Sequence, residues 1–266
     1  MYGEFRYTAH HYYILGDQMS CNEILLDKVS KLVAAHQSGS LGGETMPEDE
    51  NPHLATHCKE NYMYFTLPMA LNYQRNSYTL WKCANRMYAD PEARSVFNSK
   101  EVCAMPDELL RSYLVEYGVA LQPNKQPVIW RTLCETIEKQ LDGDIRNLFL
   151  RNEYSVKRIK EYIQQNKKAF PYLGGNKICN YWLYVLEQYT DLVFVDRENI
   201  TVAPDTHVIQ ASQRLGLITE QEAQLSNVQM LVADRWKELL AGTDWKPIDV
   251  HTPLWLWSRG GFRVEI

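Results

Sequence analysis

FPYLGGNKICNYWLYVL, residues 170–186, sets two adjacent glycines, Gly174 and Gly175, directly ahead of an apolar helical pattern that opens at Lys177. Upstream, residues 155–166 combine helix formers with apolar positions three and four apart, and the basic helix they form ends near Lys168. The layout is helix, hairpin turn at 170–178, helix. Adjacent glycines can adopt positive φ, which lets backbone N–H groups at the next helix's N-terminus approach a phosphate with no Cβ in the way. Gly174, Gly175 and Asn176 are the positions where such a phosphate contact is expected. It would grip one strand regardless of base sequence. The same pattern also suits an ordinary tight connection between packed helices.

Helical spacing recurs along most of the chain. Ser20 precedes CNEILLDKVSKLVAAH, in which Ile24, Leu25, Val29, Leu32 and Val33 repeat at helical intervals behind a capping residue. SGSLGGETMPEDENP has no apolar period and reads as a loop. Residues 61–75, 77–88, 106–117 and 127–141 read as helices, and a further one runs from Lys177 to Gln188. LVFVDRENITVAP is rich in β-branched residues and reads as extended or loop, after which DTHVIQASQRLG, QEAQLSNVQMLVADRWKELLAG and TPLWLWSR resume the helical period. Glycine stops the first and last of these. No strand-helix alternation and no internal repeat is present, so the expected class is all-α.

With 266 residues, one core or two joined lobes can be buried. No apolar run reaches the ~18 residues of a membrane span, and MYGEFRYTAHHYYILG lacks the regions of a signal peptide, so a cytoplasmic protein is expected. Cysteines 21, 58, 83, 103, 134 and 179 form no CxxC pair and read as reduced packing residues. A formal charge of −5 weighs against nucleic-acid binding in bulk. Locally the balance reverses: Arg146, Arg151, Lys157, Arg158, Lys160, Lys167, Lys168 and Lys177 stand against only Glu153 and Glu161. Asp191, Asp196 and Glu198 lie together on the expected loop and read as a solvated connection rather than a metal site.

In TVAPDTHVIQASQRLGL, Asp205 follows Pro204 and opens a helix, a position an N-cap explains by itself. Its pairing with a lysine at another helix start suits covalent N-glycosidic chemistry. Lys177 after the hairpin, followed by Asp205 in a DTHVxxxSxRLGL context, resembles the helix-hairpin-helix DNA glycosylase superfamily over residues 62–260. PIDVHTPLWLWSRGG is similar to the closing helix of the archaeal 8-oxoguanine DNA glycosylases, of N-glycosylase/DNA lyase type.

The resemblance implies two helical lobes with the active site in the cleft between them: a bundle of about 55–189 carrying the hairpin, and a second lobe of 1–54 plus 190–266. Lys177 would attack the anomeric carbon of a nucleotide flipped out of double-stranded DNA, leaving a Schiff base, and strand nicking by elimination could follow. An ordinary lysine ammonium, of pKa ~10.4, cannot attack, so the site must favour the neutral amine. Tyr172, Tyr181 and Trp182 are the neighbours expected to desolvate it. Asp205 would stabilise the cationic sugar. Gln74 would enter the gap left by the flipped base, with Trp81 and Trp255 as flat faces against that base. Each also has a plain structural explanation, as a surface glutamine or as core aromatics.

His251 departs from the archaeal pattern, which has a base-reading aspartate there; Thr252, Trp255, Leu256 and Arg259 fit it. A histidine offers a different donor and acceptor set, which puts the accepted base in question, or it is a satisfied helix-start residue. His207 reads as packing or capping. The four-cysteine iron–sulfur motif of the endonuclease III branch is missing, since no Cys follows Cys179, so no cofactor is expected beyond a possible structural monovalent cation at the hairpin. The expected partner is duplex DNA with a damaged or modified base, bound by a monomer and not by way of a membrane. Two rivals stand beside this: a nucleoside or nucleotide N-glycosidase comparable to queuosine-salvage enzymes, and a non-catalytic DNA-binding module.

Overall fold

Short amphipathic segments with good caps, and no run of alternating polarity, leave helices as the way to satisfy the backbone. The computed structural model describes residues 8–42 and 46–266, with side chains from residue 21 onward. Among the described residues the chain is all-helical: α1 (Thr8–Gln37), α2 (Lys59–Thr66), α3 (Ser77–Ala89), α4 (Ser99–Ala104), α5 (Asp107–Glu116), α6 (Gln126–Gln140), α7 (Arg146–Arg151), α8 (Val156–Gln165), α9 (Asn176–Tyr189), α10 (Thr206–Leu215), α11 (Val228–Leu239) and α12 (His251–Arg259), with short 3-10 turns between them. No helix among the described residues is long and apolar enough to cross a membrane.

The first helix starts upstream of its expected position. Ser20 lies inside α1, which begins at Thr8, so it is not the cap; its side chain, residues 1–7 and residues 43–45 lie outside the described set. Short helices α4 and α7 fell in stretches with too few turns to show a period.

The chain divides into two compact units, residues 1–44 with 201–266, and residues 45–200. Side chains tie both ends of the 45–200 unit into its body. Trp81 Nε1 donates to Glu48 Oε1 at 3.0 Å, and Tyr62 OH donates to Asp191 Oδ1 at 2.7 Å.

The core of the 45–200 unit is aromatic. Tyr64 stacks on Phe97 with centroids 5.4 Å apart, Phe97 meets Trp130 edge-on at 5.5 Å, and Phe149 packs on Trp182 at 5.8 Å. Trp81, Trp130 and Trp182 are fully buried, and each indole N–H is satisfied: by Glu48, by the Val96 carbonyl and by Thr66 Oγ1. Buried indoles are tolerated only with such partners.

In the other unit, α10 and α12 pack on one another and α1 packs on α12. Val29, Leu32, Val208, Ala211 and Leu254 are inaccessible to solvent, and Trp236 of α11 donates to Ser212 Oγ at 2.8 Å. Lys28 Nζ donates to the Leu215 carbonyl at 3.0 Å, closing the C-terminal end of α10. Gly216 follows in the left-handed region at φ 93°, as a helix-terminating glycine does. Of the six cysteines only Cys134 and Cys179 are buried, so the packing role expected for all of them holds for these two.

The acidic loop residues have structural work. Asp196 accepts from Ser155 Oγ at 2.8 Å and from the N–H groups of Val156 and Lys157, so it caps α8 from a distance alongside Ser155. Asp196→Ala is expected to lower unfolding free energy by roughly 1–2 kcal/mol in a urea titration. An unchanged midpoint would mean that Ser155 suffices as the cap.

Candidate functional site

The connection between α8 and α9 is built by buried anchors on either side of an open turn. Val156, Ile159 and Ile163 bury one face of α8, and Phe170 and Leu173 plug the connection, each about 1% exposed or less. Between them Gly174 N–H donates to the Phe170 carbonyl at 3.1 Å and Gly175 N–H to the Tyr172 carbonyl at 3.1 Å. The residue in the left-handed region is Tyr172, at φ 63°. Gly175 has φ −76°, and neither Gly174 nor Gly175 has positive φ, which corrects the expectation from sequence. The turn closes through Tyr172, so the glycines supply clearance rather than backbone handedness. A Cβ on Gly175 would meet only the Tyr172 carbonyl, at 3.5 Å, so the space in front of the helix start is open.

Gly175 is the N-cap of α9, and no side chain caps this helix. The first helical N–H groups after Gly175, including those of Asn176 and Lys177, have no carbonyl four residues back to bind. Gly175 and Asn176 are exposed, and Lys177 is half-buried in the first turn. Its Nζ has no hydrogen-bond or ion-pair partner among the described residues. Of the three aromatics expected beside it, Trp182 donates to Thr66 Oγ1 in the core, Tyr181 places its OH on Glu48 Oε2 at 3.1 Å, and Tyr172 packs against Tyr73.

That last contact brings together two segments singled out separately in sequence. Tyr73 is 47% exposed and its ring centroid lies 5.6 Å from that of Tyr172. Beside it Gln74 is exposed with φ 50°, a left-handed backbone for a non-glycine residue. Arg75 pins this loop by donating to the carbonyls of Gly118 and Val119. Lys125 places its ammonium 5.2 Å from the Tyr172 ring centre. Tyr73, Tyr172 and the Lys125 ammonium thus meet on one face of the 45–200 unit, next to Gln74 in sequence. No local pattern marks Lys125 or Tyr73; their place depends on three distant segments meeting.

The basic stretch divides by use. Arg146 pairs with Asp144, Arg151 with Asp142 and Arg158 with Glu153. Lys160 turns inward, its Nζ donating to Asn180 Oδ1 at 3.0 Å and to the Asn199 carbonyl at 3.1 Å. Lys157, Lys167 and Lys168 are exposed, and the last two sit in the connection between α8 and α9. Trp81, expected against a flipped base, is fully buried between Tyr64 and Phe65, which is a place in the core.

On the other unit Asp205 is the N-cap of α10. Its Oδ1 accepts from Val208 N–H at 3.0 Å and its Oδ2 from Trp255 Nε1 at 3.0 Å. With both oxygens used as acceptors, the carboxylate orientation is fixed. His207 meets the Trp255 ring edge-on at 5.4 Å, and its Nδ1 lies 3.2 Å from Ser258 Oγ. Ser258 directs its own proton to Gln210 Oε1 at 3.1 Å, so the hydroxyl accepts from His207. His251 is buried as the first residue of α12, and its Nδ1 accepts a long hydrogen bond, 3.4 Å, from Ala203 N–H.

Elsewhere, an open pocket of about 520 Å³ is lined by His57, Tyr62, Asp144, Arg146, Tyr154 and Asp191 among others. Its charged groups are largely paired with one another: Arg146 holds Asp144 and the His57 carbonyl, and Tyr62 holds Asp191. No cluster of three or more histidine, cysteine or carboxylate side chains able to hold a metal ion occurs among the described residues. The sequence matches no protein-family model, and no curated protein is significantly similar to it.

Proposed function

We propose that the chain is a DNA base-excision glycosylase with AP-lyase activity, in which Lys177 is the nucleophile and Asp205 the stabilising carboxylate. The observation that carries this is the position of Lys177: half-buried, unpartnered among the described residues, in the first turn of a helix that no side chain caps, behind a Gly-Gly turn. Free N–H groups at a helix start favour an anion such as a backbone phosphate, which brings the reacting sugar to the lysine on the same turn. Supporting it, the Tyr73–Tyr172 aromatic pair, with the Lys125 ammonium over Tyr172, lies at the same turn. In this reading α8, the turn and α9 form a helix-hairpin-helix.

The reaction is a displacement followed by elimination. The neutral Lys177 amine forms a bond to C1′ as the N-glycosidic bond breaks and the base departs with a proton. The amine proton passes to the departing base, the sugar ring opens with O4′ taking up a proton to give a Schiff base, and loss of a C2′ proton as the C3′–O bond to the 3′ phosphate breaks then nicks the strand. Asp205, its oxygens held by Val208 and Trp255, offers negative charge to the oxocarbenium-like sugar without reorganisation.

The test incubates the protein with duplexes bearing 8-oxoguanine, uracil, an abasic site or modified cytosines under borohydride. A trapped adduct is expected, and the duplex that traps best names the base class. A second reading, an N-glycosidase for a free nucleoside, is favoured by the charge of −5 and by the internal pairing of Arg146, Arg151, Arg158 and Lys160. Charge reversal separates the two. If the substrate is a duplex, Lys167→Glu with Lys168→Glu weakens its binding at least ~10-fold and lowers the slope of log K against log salt by up to ~1.8. Unchanged turnover of a nucleoside by that variant, with no duplex trapped, would decide for the small substrate.

A further inference from the structure

Trp255 stands in the closing helix at a position where a flat face against the base is expected, yet its polar edge has another task. The residue is 9% exposed and its Nε1 donates to Asp205 Oδ2 at 3.0 Å across 50 residues of chain. Its faces and edges are themselves occupied: His207 lies 5.4 Å away in a T-shaped contact, and the Arg259 guanidinium is 5.2 Å from the ring centre. Ser258, one turn of α12 away from Leu254, anchors His207, and through Gln210 ties that cluster back to α10.

We propose that Trp255 is a positioning residue that acts through Asp205: its indole N–H fixes the second carboxylate oxygen, while the Val208 N–H fixes the first. A carboxylate held only by its N-cap bond can rotate about Cβ–Cγ and turn one oxygen toward solvent. The indole removes that freedom and holds the charge aligned for the sugar cation. His207 and Arg259 in turn hold the plane of the indole. This rests on the glycosylase reading, and it makes the effect of Trp255 conditional on Asp205, which base stacking would not be.

The experiment is a double-mutant cycle in single-turnover base excision on the best-trapped duplex, with Trp255→Phe, Asp205→Asn and the double variant. Trp255→Phe is expected to slow excision roughly 10- to 100-fold, the range of a lost hydrogen bond to a charged group, with duplex affinity unchanged. In the Asp205→Asn background it should add less than about 2-fold. Equal slowing in both backgrounds, or a loss confined to affinity, overturns the proposal in favour of stacking. Should Trp255→Phe fold poorly, benzothienylalanine at position 255 keeps the ring volume and replaces N–H by sulfur, with the same slowing expected. Independently of activity, the Trp255 indole ¹⁵N–¹H signal should be protected from solvent exchange and lose protection at least ~10-fold in Asp205→Ala; no change overturns the hydrogen bond. Absence of any Lys177-dependent product from the wild type would instead overturn the glycosylase reading on which the role depends, whatever the indole signal shows.

Discussion

Lys177→Gln is expected to abolish the borohydride adduct and to lower base excision by at least ~10³-fold, because an amide nitrogen has no lone pair available to attack C1′ and cannot form a Schiff base. The variant suits the purpose because Lys177 has no partner among the described residues to lose, and its half-buried stem is largely retained in glutamine. Unfolding free energy should therefore stay within about 0.5 kcal/mol of wild type. Duplex affinity should fall little, since the helix-start N–H groups and Lys167 and Lys168 remain. Strong loss of adduct with intact binding and folding assigns the nucleophile. An adduct that survives the substitution places the reactive amine on another residue, and equal loss of binding would make Lys177 a phosphate contact instead.

A large effect is also expected at Glu48, on stability rather than chemistry. The 3-10 turn Pro47–Asp49 inserts this side chain into the 45–200 unit until only 1% is exposed, with Trp81 Nε1 and Tyr181 OH as its partners. Burial pushes its carboxyl up to about 7, the hydrogen bonds from its own backbone, Tyr181 and Trp81 pull it down, and neighbouring Asp49 adds to the rise. The folded value thus lies above the ordinary 4.5 of an unfolded chain. The neutral acid is the form that the fold favours. Its contribution is complete below the unfolded value and is lost as pH rises through about 7. Between pH 4.5 and 8.5 this amounts to roughly 3 kcal/mol as an upper figure.

Glu48→Gln keeps an acceptor for the Trp81 N–H and a polar partner for Tyr181 but has no proton to lose. Denaturant titrations should show wild-type stability falling across neutral pH while the variant's stays level, so the variant is the more stable at pH 8.5. Parallel pH profiles for the two proteins would show that Glu48 does not ionise with this cost in the folded state. Because Tyr181 follows Lys177 by one turn of α9, the same titration should loosen the helix that carries the proposed nucleophile. A drop in excision rate above pH 7 that Glu48→Gln abolishes is the corresponding kinetic sign.

Much of the fold could be read from local pattern. The apolar residues of α8 recur at Val156, Ile159 and Ile163, and these are its buried positions. The cap of α10 was legible at Asp205 and its stop at Gly216, because N-caps and left-handed C-termini depend on nearest neighbours alone. What failed did so where distant segments decide. The loop at 46–51 reads as polar and unanchored, yet Glu48 is a core residue because Trp81 and Tyr181 offer it donors from two helices. The basic stretch reads as one patch, yet half of its cations are consumed in internal pairs and bonds. Gly174 and Gly175 read as the left-handed pair of the turn, while Tyr172 holds that conformation in the fold.

Local pattern places the longer helices, though not α4, α7 or the start of α1, and sets Lys177 and Asp205 each at a helix start. Those outcomes follow from 3.6-residue periodicity and capping, which act over a few residues. Which side chains are spent on the fold follows from tertiary packing alone, as does the meeting of Tyr73, Tyr172 and Lys125 on one face and of the Trp255 indole with Asp205. Contacts across 50 residues have no periodic signature, because what selects them is the fit of packed faces rather than the spacing of residues along the chain.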